Sequence, residues 1–321
     1  MRAALLSMLA GLVACGRSSA PPPEPPRDPV AIAAPEPAVE ARRDFPLEVT
    51  PTSLATAGTT MLWTDITGAI WSMPATGGEP KQLSDQKTPD FAFSLLRAGD
   101  EVLAIGRHGI LRVGVPAGPV AVLAITGLAD QVEDSVADER FVYVTIFKRN
   151  EVMRVPVAGG KAEQLAELPR GVLGIHGSTL YIASYSTGVL YSLPTTGGTP
   201  HPIVRGLPRP TAVAADETHA FVYCERDQTL RRIELATGAM ITLASKLVNS
   251  DDVVLDGDWV YTRSWGKTGS LVRIPKAGGP MQTLADDLRS PIRIVIDANA
   301  VYVTSRDDKR IVRLEKSALP R

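Results

Sequence analysis

Val152-Met153-Arg154-Val155-Pro156-Val157-Ala158-Gly159-Gly160 returns as Leu271-Val272-Arg273-Ile274-Pro275-Lys276-Ala277-Gly278-Gly279. Ile70 to Gly78 and Leu190 to Gly198 follow the same pattern. Leu230 to Gly238 keeps it with Glu234 in the proline position, and Gly114 holds that position in another copy. With that position as anchor, copies fall at 74, 114, 156, 194, 234, 275 and 315, at intervals of 40, 42, 38, 40, 41 and 40. A strand-type pattern repeating near 40 residues is the signature of propeller blades.

Each unit carries the signal of four strands. An apolar segment such as Thr211-Ala212-Val213-Ala214-Ala215 comes first, then a turn rich in Gly or Asp, such as Asp256-Gly257. An aromatic β segment follows, as in Val142-Tyr143-Val144-Thr145 and Val301-Tyr302-Val303-Thr304; only the second unit, at Val102-Leu103-Ala104, lacks the aromatic. Alternating β-branched and aromatic residues favour a pleated, half-buried surface. The third strand ends at the anchor, and Gly-Gly supplies a positive-φ turn. An apolar residue stands nine beyond the anchor in the fourth strand: Leu83, Leu123, Leu165, Ile203, Leu243, Leu284. The seventh unit has no room for a fourth strand before Arg321, so Phe45 to Thr50 is expected to complete that blade and close the ring. The expected fold is all-β: a seven-bladed β-propeller of four-stranded antiparallel blades over residues 45–321.

The repeats resemble known propeller families. Val142-Tyr143-Val144-Thr145 is similar to the YVTN-type bacterial repeat. Leu62-Trp63-Thr64-Asp65 followed by Gly77-Gly78 resembles the YWTD repeat, and NHL repeats are similar too. The likeness covers about residues 45–317. It implies fold more than function, since these families include scaffolds, sugar and peptide binders and a few lyases. YWTD propellers usually have six blades, a number from which this chain departs.

Upstream, Met1-Arg2 supplies a positive charge and Ala3 to Val13 is almost wholly apolar, the length of a signal segment and too short to span a bilayer. Leu12-Val13-Ala14-Cys15 resembles the lipobox of bacterial lipoproteins. That resemblance implies cleavage after residue 14, lipidation of Cys15 and, with Gly16 following, an outer-membrane destination. Two or three acyl chains would anchor the protein stably, whereas one is marginal. Residues 15–44 hold eight prolines, among them Pro21, Pro22 and Pro23. Proline fixes φ and removes donors, so an extended tether is expected.

The formal net charge of −1 gives no basic field to attract a nucleic acid. Two cysteines are too few for a disulfide framework; a Cys15–Cys224 bridge is formally possible, but Cys224 stands at an apolar strand position and is read as a buried thiol. The four histidines are scattered without zinc-ligand spacing, and no Gly-x-Ser-x-Gly elbow occurs. No cofactor is expected, and the protein is expected to be a monomer.

In a propeller, the loops between strands two and three share one face with the loops joining successive blades. That face, called upper here, carries the irregular residues, whereas the Gly-Gly turns fall on the lower face. Loops on a rigid scaffold are the usual carriers of binding, with aromatics and arginines as anchors. The candidate ligand-binding set is Arg107, His108, Phe147, Arg170, Tyr185, Arg209, Asp251, Asp252, Trp265 and Arg306. The expected function is a membrane-anchored binding or scaffold module for a protein, peptide or glycan. The alternative is a lyase or hydrolase at the channel mouth, similar to virginiamycin-lyase-type propellers, with His108 beside Arg107 opposite Asp251-Asp252. Asp251-Asp252 with Asp134 is also weighed as an oxygen-ligand metal site and set second, because no loop spacing supports it. Arg112, Arg154, Arg232, Arg273 and Arg313 recur in one slot, held by Ser72 and Ser192 in two units, and are expected to bind blades to one another.

Overall fold

A computed structural model describes residues 41–84, 94–106, 109–115, 118–128, 131–146, 149–265 and 268–320. Seven four-stranded antiparallel sheets form the blades. Their first strands are Pro51–Ala57, Ser94–Ala98, Val132–Ala137, Val172–His176, Pro210–Ala215, Val253–Asp256 and Pro291–Ile296. Each first strand touches the next in cyclic order, and that of blade seven touches that of blade one, so the sheets close into a ring around a channel. One turn of 3-10 helix, Lys316–Ala318, follows the last strand.

Position across a blade sets exposure. Second strands lie between neighbouring sheets and are apolar or Thr throughout their middles: Thr60–Asp65 and Ala300–Ser305 are buried at every residue. First strands have one side on the channel and are only half buried, as in Val132–Ala137. Fourth strands form the rim and are the most exposed, from two residues at Lys81–Gln82 in blade one to seven at Gln282–Leu288 in blade six. Short, charged outer strands blunt edge-to-edge pairing. The apolar residues between blades form the core, for example Tyr143, Val152, Leu173, Leu180, Ile182 and Leu193 between blades three and four. The residues nine beyond the anchor fall in or directly after the fourth strands, as in Glu163–Glu167 with Leu165 and Gln282–Leu288 with Leu284.

The ring closes through the N-terminal segment, but its strand is Arg42–Pro46 rather than Phe45 to Thr50. It pairs antiparallel with Arg310–Glu315, setting Arg42 opposite Leu314 and Phe45 opposite Ile311. Leu47 adds one backbone bond to Lys309 O, 2.7 Å, and Val49 packs on the cluster of Phe45 and Leu54 without joining the ladder. The strand begins earlier because its charged residues have partners. Arg42 bonds Asp44 at 2.8 Å and Asp287 of blade six at 2.8 Å, and Arg310 reaches Asp44 at 2.5 Å. Charge that resembles linker in the sequence is pairing charge in the fold.

Four of the five repeated arginines reach the next blade, while Arg313 turns to Tyr302 and Glu315 of its own blade. Arg112 donates to Val157 O at 3.0 Å, Arg154 to Thr195 O at 3.2 Å and Arg232 to Lys276 O at 2.8 Å. Arg273 donates to Pro320 O. At the closure the equivalent donor comes from the added strand, where Arg43, opposite Arg313, reaches Thr76 O at 2.7 Å. The acceptors lie one or two residues past the next anchor, or at Pro320 beyond the last. The Gly-Gly turns meet the neighbouring blade too. Gly159 has φ 86°, and a Cβ there would stand 3.1 Å from Ala124 O, so its lack of a side chain permits the contact as well as the turn. Beside it Ile125–Thr126 runs parallel to Gly160–Lys161, a two-stranded link between blades two and three that the repeat does not foretell.

Candidate functional site

The channel holds a cavity of about 530 Å³ bounded by first strands of blades three to seven. Asp134, Asp251, Asp252 and Arg293 stand at its upper end, and His176, Asp216 and Lys276 at its lower end. Two of the upper carboxylates serve the ring itself. Asp134 Oδ2 accepts Leu173 N of the next blade at 2.7 Å, and Asp252 Oδ2 accepts Ile294 N at 2.6 Å. Ser53 does the same for Leu95 N at 2.8 Å, so the slot caps a backbone donor between blades. Asp252 also faces Arg293 at 3.4 Å. These commitments leave Asp134 and Asp252 as blade connectors, a different employment from the joint metal site weighed on sequence.

Asp251 is engaged differently. It pairs with Arg263, whose guanidinium also donates to Asn249 O at 3.1 Å. Arg263 is 4% exposed, with its Nε buried and without a partner among the described residues. Crowding by the wall raises the Asp251 carboxyl pKa, against the pull of Arg263. Arg263 also lies over the Trp265 ring, 5.5 Å from its centroid. The Trp265 indole N–H donates to Pro291 O at 2.5 Å, which ties the ring to the next blade.

Trp265 and Asp251 line a second cavity of about 260 Å³ with Thr211, Tyr223, Glu225 and Asn249. Thr211 and Asp251 also line the channel cavity, so the two spaces share a wall. Arg209, with φ 58°, pairs with Glu225 at 3.0 Å on the same side of blade five.

Arg170 and Tyr185 meet elsewhere, between blades three and four. Both hold Glu133: Arg170 Nε donates at 2.9 Å, its second nitrogen donates too, and the Tyr185 hydroxyl donates to the same carboxylate. Burial opposes the charge on Glu133, but these donors outweigh it and hold its carboxyl below the ordinary range. Arg306 stands apart, half-buried, with its backbone N–H on Ser290 O at 3.1 Å. Arg107, His108 and Phe147 lie outside the described residues, as does Cys15. The sequence-derived set is thus divided: Asp251, Trp265 and Arg209 gather at blades five and six, Arg170 and Tyr185 form a separate polar knot, and Asp252 serves the channel wall.

Arg263 and Tyr223 escaped the sequence reading because the slot they share emerges only when the strands are paired. Both occupy one slot at the end of the second strand, opposite the start of the third. Around the ring that slot reads Thr64, Ile105, Thr145, Ala183, Tyr223, Arg263 and Thr304. Only blades five and six place a large polar side chain there, and the 260 Å³ cavity opens where they do. Cys224, one position on, is fully buried, and desolvation pushes its thiol up to about 12, which makes it unreactive.

No protein-family model matches the sequence, and no curated protein matches it by sequence. Among solved structures the chain is similar in fold to the selenomethionine-substituted virginiamycin B lyase from Staphylococcus aureus. That match has a TM-score of 0.70 and 12% identity over 85% of this chain and 98% of that one. A catalytically inactive form of that lyase with Quinupristin matches with TM-score 0.70 and 13% identity, over 85% of this chain and 98% of that one. The computationally designed Ika8 protein matches with TM-score 0.62 and 13% identity, over 84% of this chain and 97% of that one. At these identities the likeness concerns the fold alone.

Proposed function

We propose that this protein is a binding module, held at the cell envelope by lipid on Cys15, whose upper face recognises a protein, peptide or glycan. The observation that carries the reading is the cavity at blades five and six, which is lined by an oriented indole and two carboxylates and shares Thr211 and Asp251 with the channel. Binding sites combine a shaped concavity with a few placed polar groups, and Trp and Arg recur at interface centres. The chain enters the disk at Arg42, opposite Leu314, at the lower-face end of the rim. An outer-membrane location and a monomeric state belong to the same proposal, with no nucleic-acid partner.

Capture from envelope extracts tests it. Immobilised wild type should retain a partner that a Trp265→Ala, Tyr185→Ala double variant loses, with circular dichroism unchanged. Equal recovery on both would remove the upper face from the reading. Labelled palmitate should enter the wild type and not Cys15→Ala.

A lyase at the channel mouth is the second reading, favoured by the fold shared with virginiamycin B lyase. It needs His108 and Arg107 opposite Asp251 and Asp252, and Asp252 is held by Ile294 N. Conversion of Quinupristin by the wild type, abolished in a folded His108→Ala variant, would put this reading first.

A further inference from the structure

Blades five and six depart from their repeat at one and the same slot. Five blades keep Thr, Ala or Ile there, so the fold is built without a large polar group, yet these two carry Tyr223 and Arg263. Burying a guanidinium is costly unless it is paired, and Arg263 is paired only in part: one nitrogen on Asp251, one on Asn249 O and Nε on nothing described. The slot borders the 260 Å³ cavity in both blades: Tyr223 lines it directly, and Arg263 holds two of its lining residues, Asn249 and Asp251.

The groups left in that cavity define its chemistry. The Trp265 indole N–H is spent on Pro291 O, so the side chain offers its cavity only apolar ring surface. The Thr211 hydroxyl is buried and has no partner among the described residues. No described residue bonds the Asn249 carboxamide, which keeps its donors and its acceptor. The Tyr223 hydroxyl is spent within the wall: it donates to Leu247 O at 2.7 Å, and the backbone N–H groups of Ser250 and Asn249 face its oxygen. Asp251 and Glu225 are charge-balanced by Arg263 and Arg209, while each retains acceptor capacity.

A cation would find both carboxylates already neutralised, and an anion would face them. A neutral molecule carrying both hydroxyls and an apolar C–H face satisfies every group: hydroxyls donate to the carboxylates, meet Asn249 and Thr211, and the C–H face lies on the indole. The cavity's 260 Å³ is below the roughly 300 Å³ at which drug-sized pockets begin, so it admits one ring. We infer that this cavity is a subsite for one neutral pyranose residue of a glycan, with Trp265 as platform and Thr211, Asn249, Asp251 and Glu225 as hydroxyl partners. This deepens the proposed binding function and rests on it.

Calorimetric titration of the full-length protein, in a detergent without a sugar headgroup, tests the inference. The panel holds neutral tetrasaccharides of glucose, mannose, galactose and N-acetylglucosamine in α and β linkage, with choline and a heparin tetrasaccharide as charged probes. At least one neutral probe should bind, at least tenfold more weakly to Trp265→Ala. Thr211→Val is nearly isosteric and removes a hydroxyl that bonds no described residue. It should weaken binding several-fold at unchanged melting temperature, a separation that a purely structural threonine would not produce. Absence of binding by every neutral probe, preference for choline or heparin, or binding indifferent to both variants overturns the inference. Retained capture of an envelope protein through Trp265 with no sugar bound would overturn the glycan assignment while leaving the broader upper-face reading intact; loss of both would sink both.

Discussion

At the scale of single residues, one chemical type does different work according to the slot it occupies. Arg154 stands in the repeated slot: it bonds Thr195 O, pairs with Glu163 at 2.7 Å and lies 4.6 Å from the Phe141 ring centroid. Arg306 sits at a hairpin tip with only its backbone bonded among the described contacts. A net hydrogen bond contributes about 0.5–1.5 kcal/mol, and the buried arginine stem adds packing. Arg154→Ala should therefore cost about 1–2 kcal/mol in urea denaturation and leave ligand capture unchanged. Arg306→Ala should stay within about 0.5 kcal/mol of wild type. A reversed order of the two would refute the blade-binding role. The recurrence of arginine every 40 residues made this role readable in advance. Arg263 was unreadable in that way, because its meaning lies in departing from a slot defined only once the strands are aligned opposite their partners.

At the scale of elements, the closing strand is the part whose position the sequence misplaced. Phe45, Leu47 and Val49 alternate like a strand and drew its expected start to Phe45. Arg42-Arg43-Asp44 carry no such pattern; they become strand because Asp287 and Arg310 await them across the seam. Asp287 is held at about 2 first by Arg42, against the opposing effect of burial, with Arg310 adding to the depression. A carboxyl whose folded pKa lies below its unfolded value stabilises the fold fully above the ordinary aspartate range. That contribution is lost as pH falls from about 4 through about 2. Half of Asp287 meets solvent, so the effect is screened and modest. Asp287→Asn should accordingly lower the melting temperature at pH 7 slightly, and the difference from wild type should shrink as pH falls through about 2. A difference that grows on acidification would contradict the clamp. Molar salt should narrow the gap as acid does.

At the scale of the whole molecule, closure is what turns seven sheets into one cooperative body. Phe45 is 5% exposed and packs with Leu54, Met61, Trp63 and Ile311, joining the outer strand of the last blade to the first blade. Removing a buried Phe side chain costs about 3–5 kcal/mol. Phe45→Ala should lower the free energy of unfolding by that amount, read from the shift of the denaturation midpoint. Deletion of residues 41–46 should go further, exposing the Arg310–Glu315 edge to pairing between molecules, seen as higher-order species in size-exclusion chromatography. A monomeric, fully stable deletion variant would mean the ring does not depend on its added strand.

The sequence by itself determined the class of fold, the number of blades, the strand order within each and the fact of closure from the N-terminal side. These follow from period and alternation, which are local properties repeated seven times. Only the tertiary structure decided which upper-face residues act together. Asp251, Arg263, Asn249, Glu225, Thr211 and Trp265 come from two blades and from loops and strand ends with no common spacing. Their proximity arises from the angle between neighbouring sheets and the turn of each hairpin. A repeating pattern specifies its own module, but a site lies where modules differ, and no period records the distance between side chains on separate sheets.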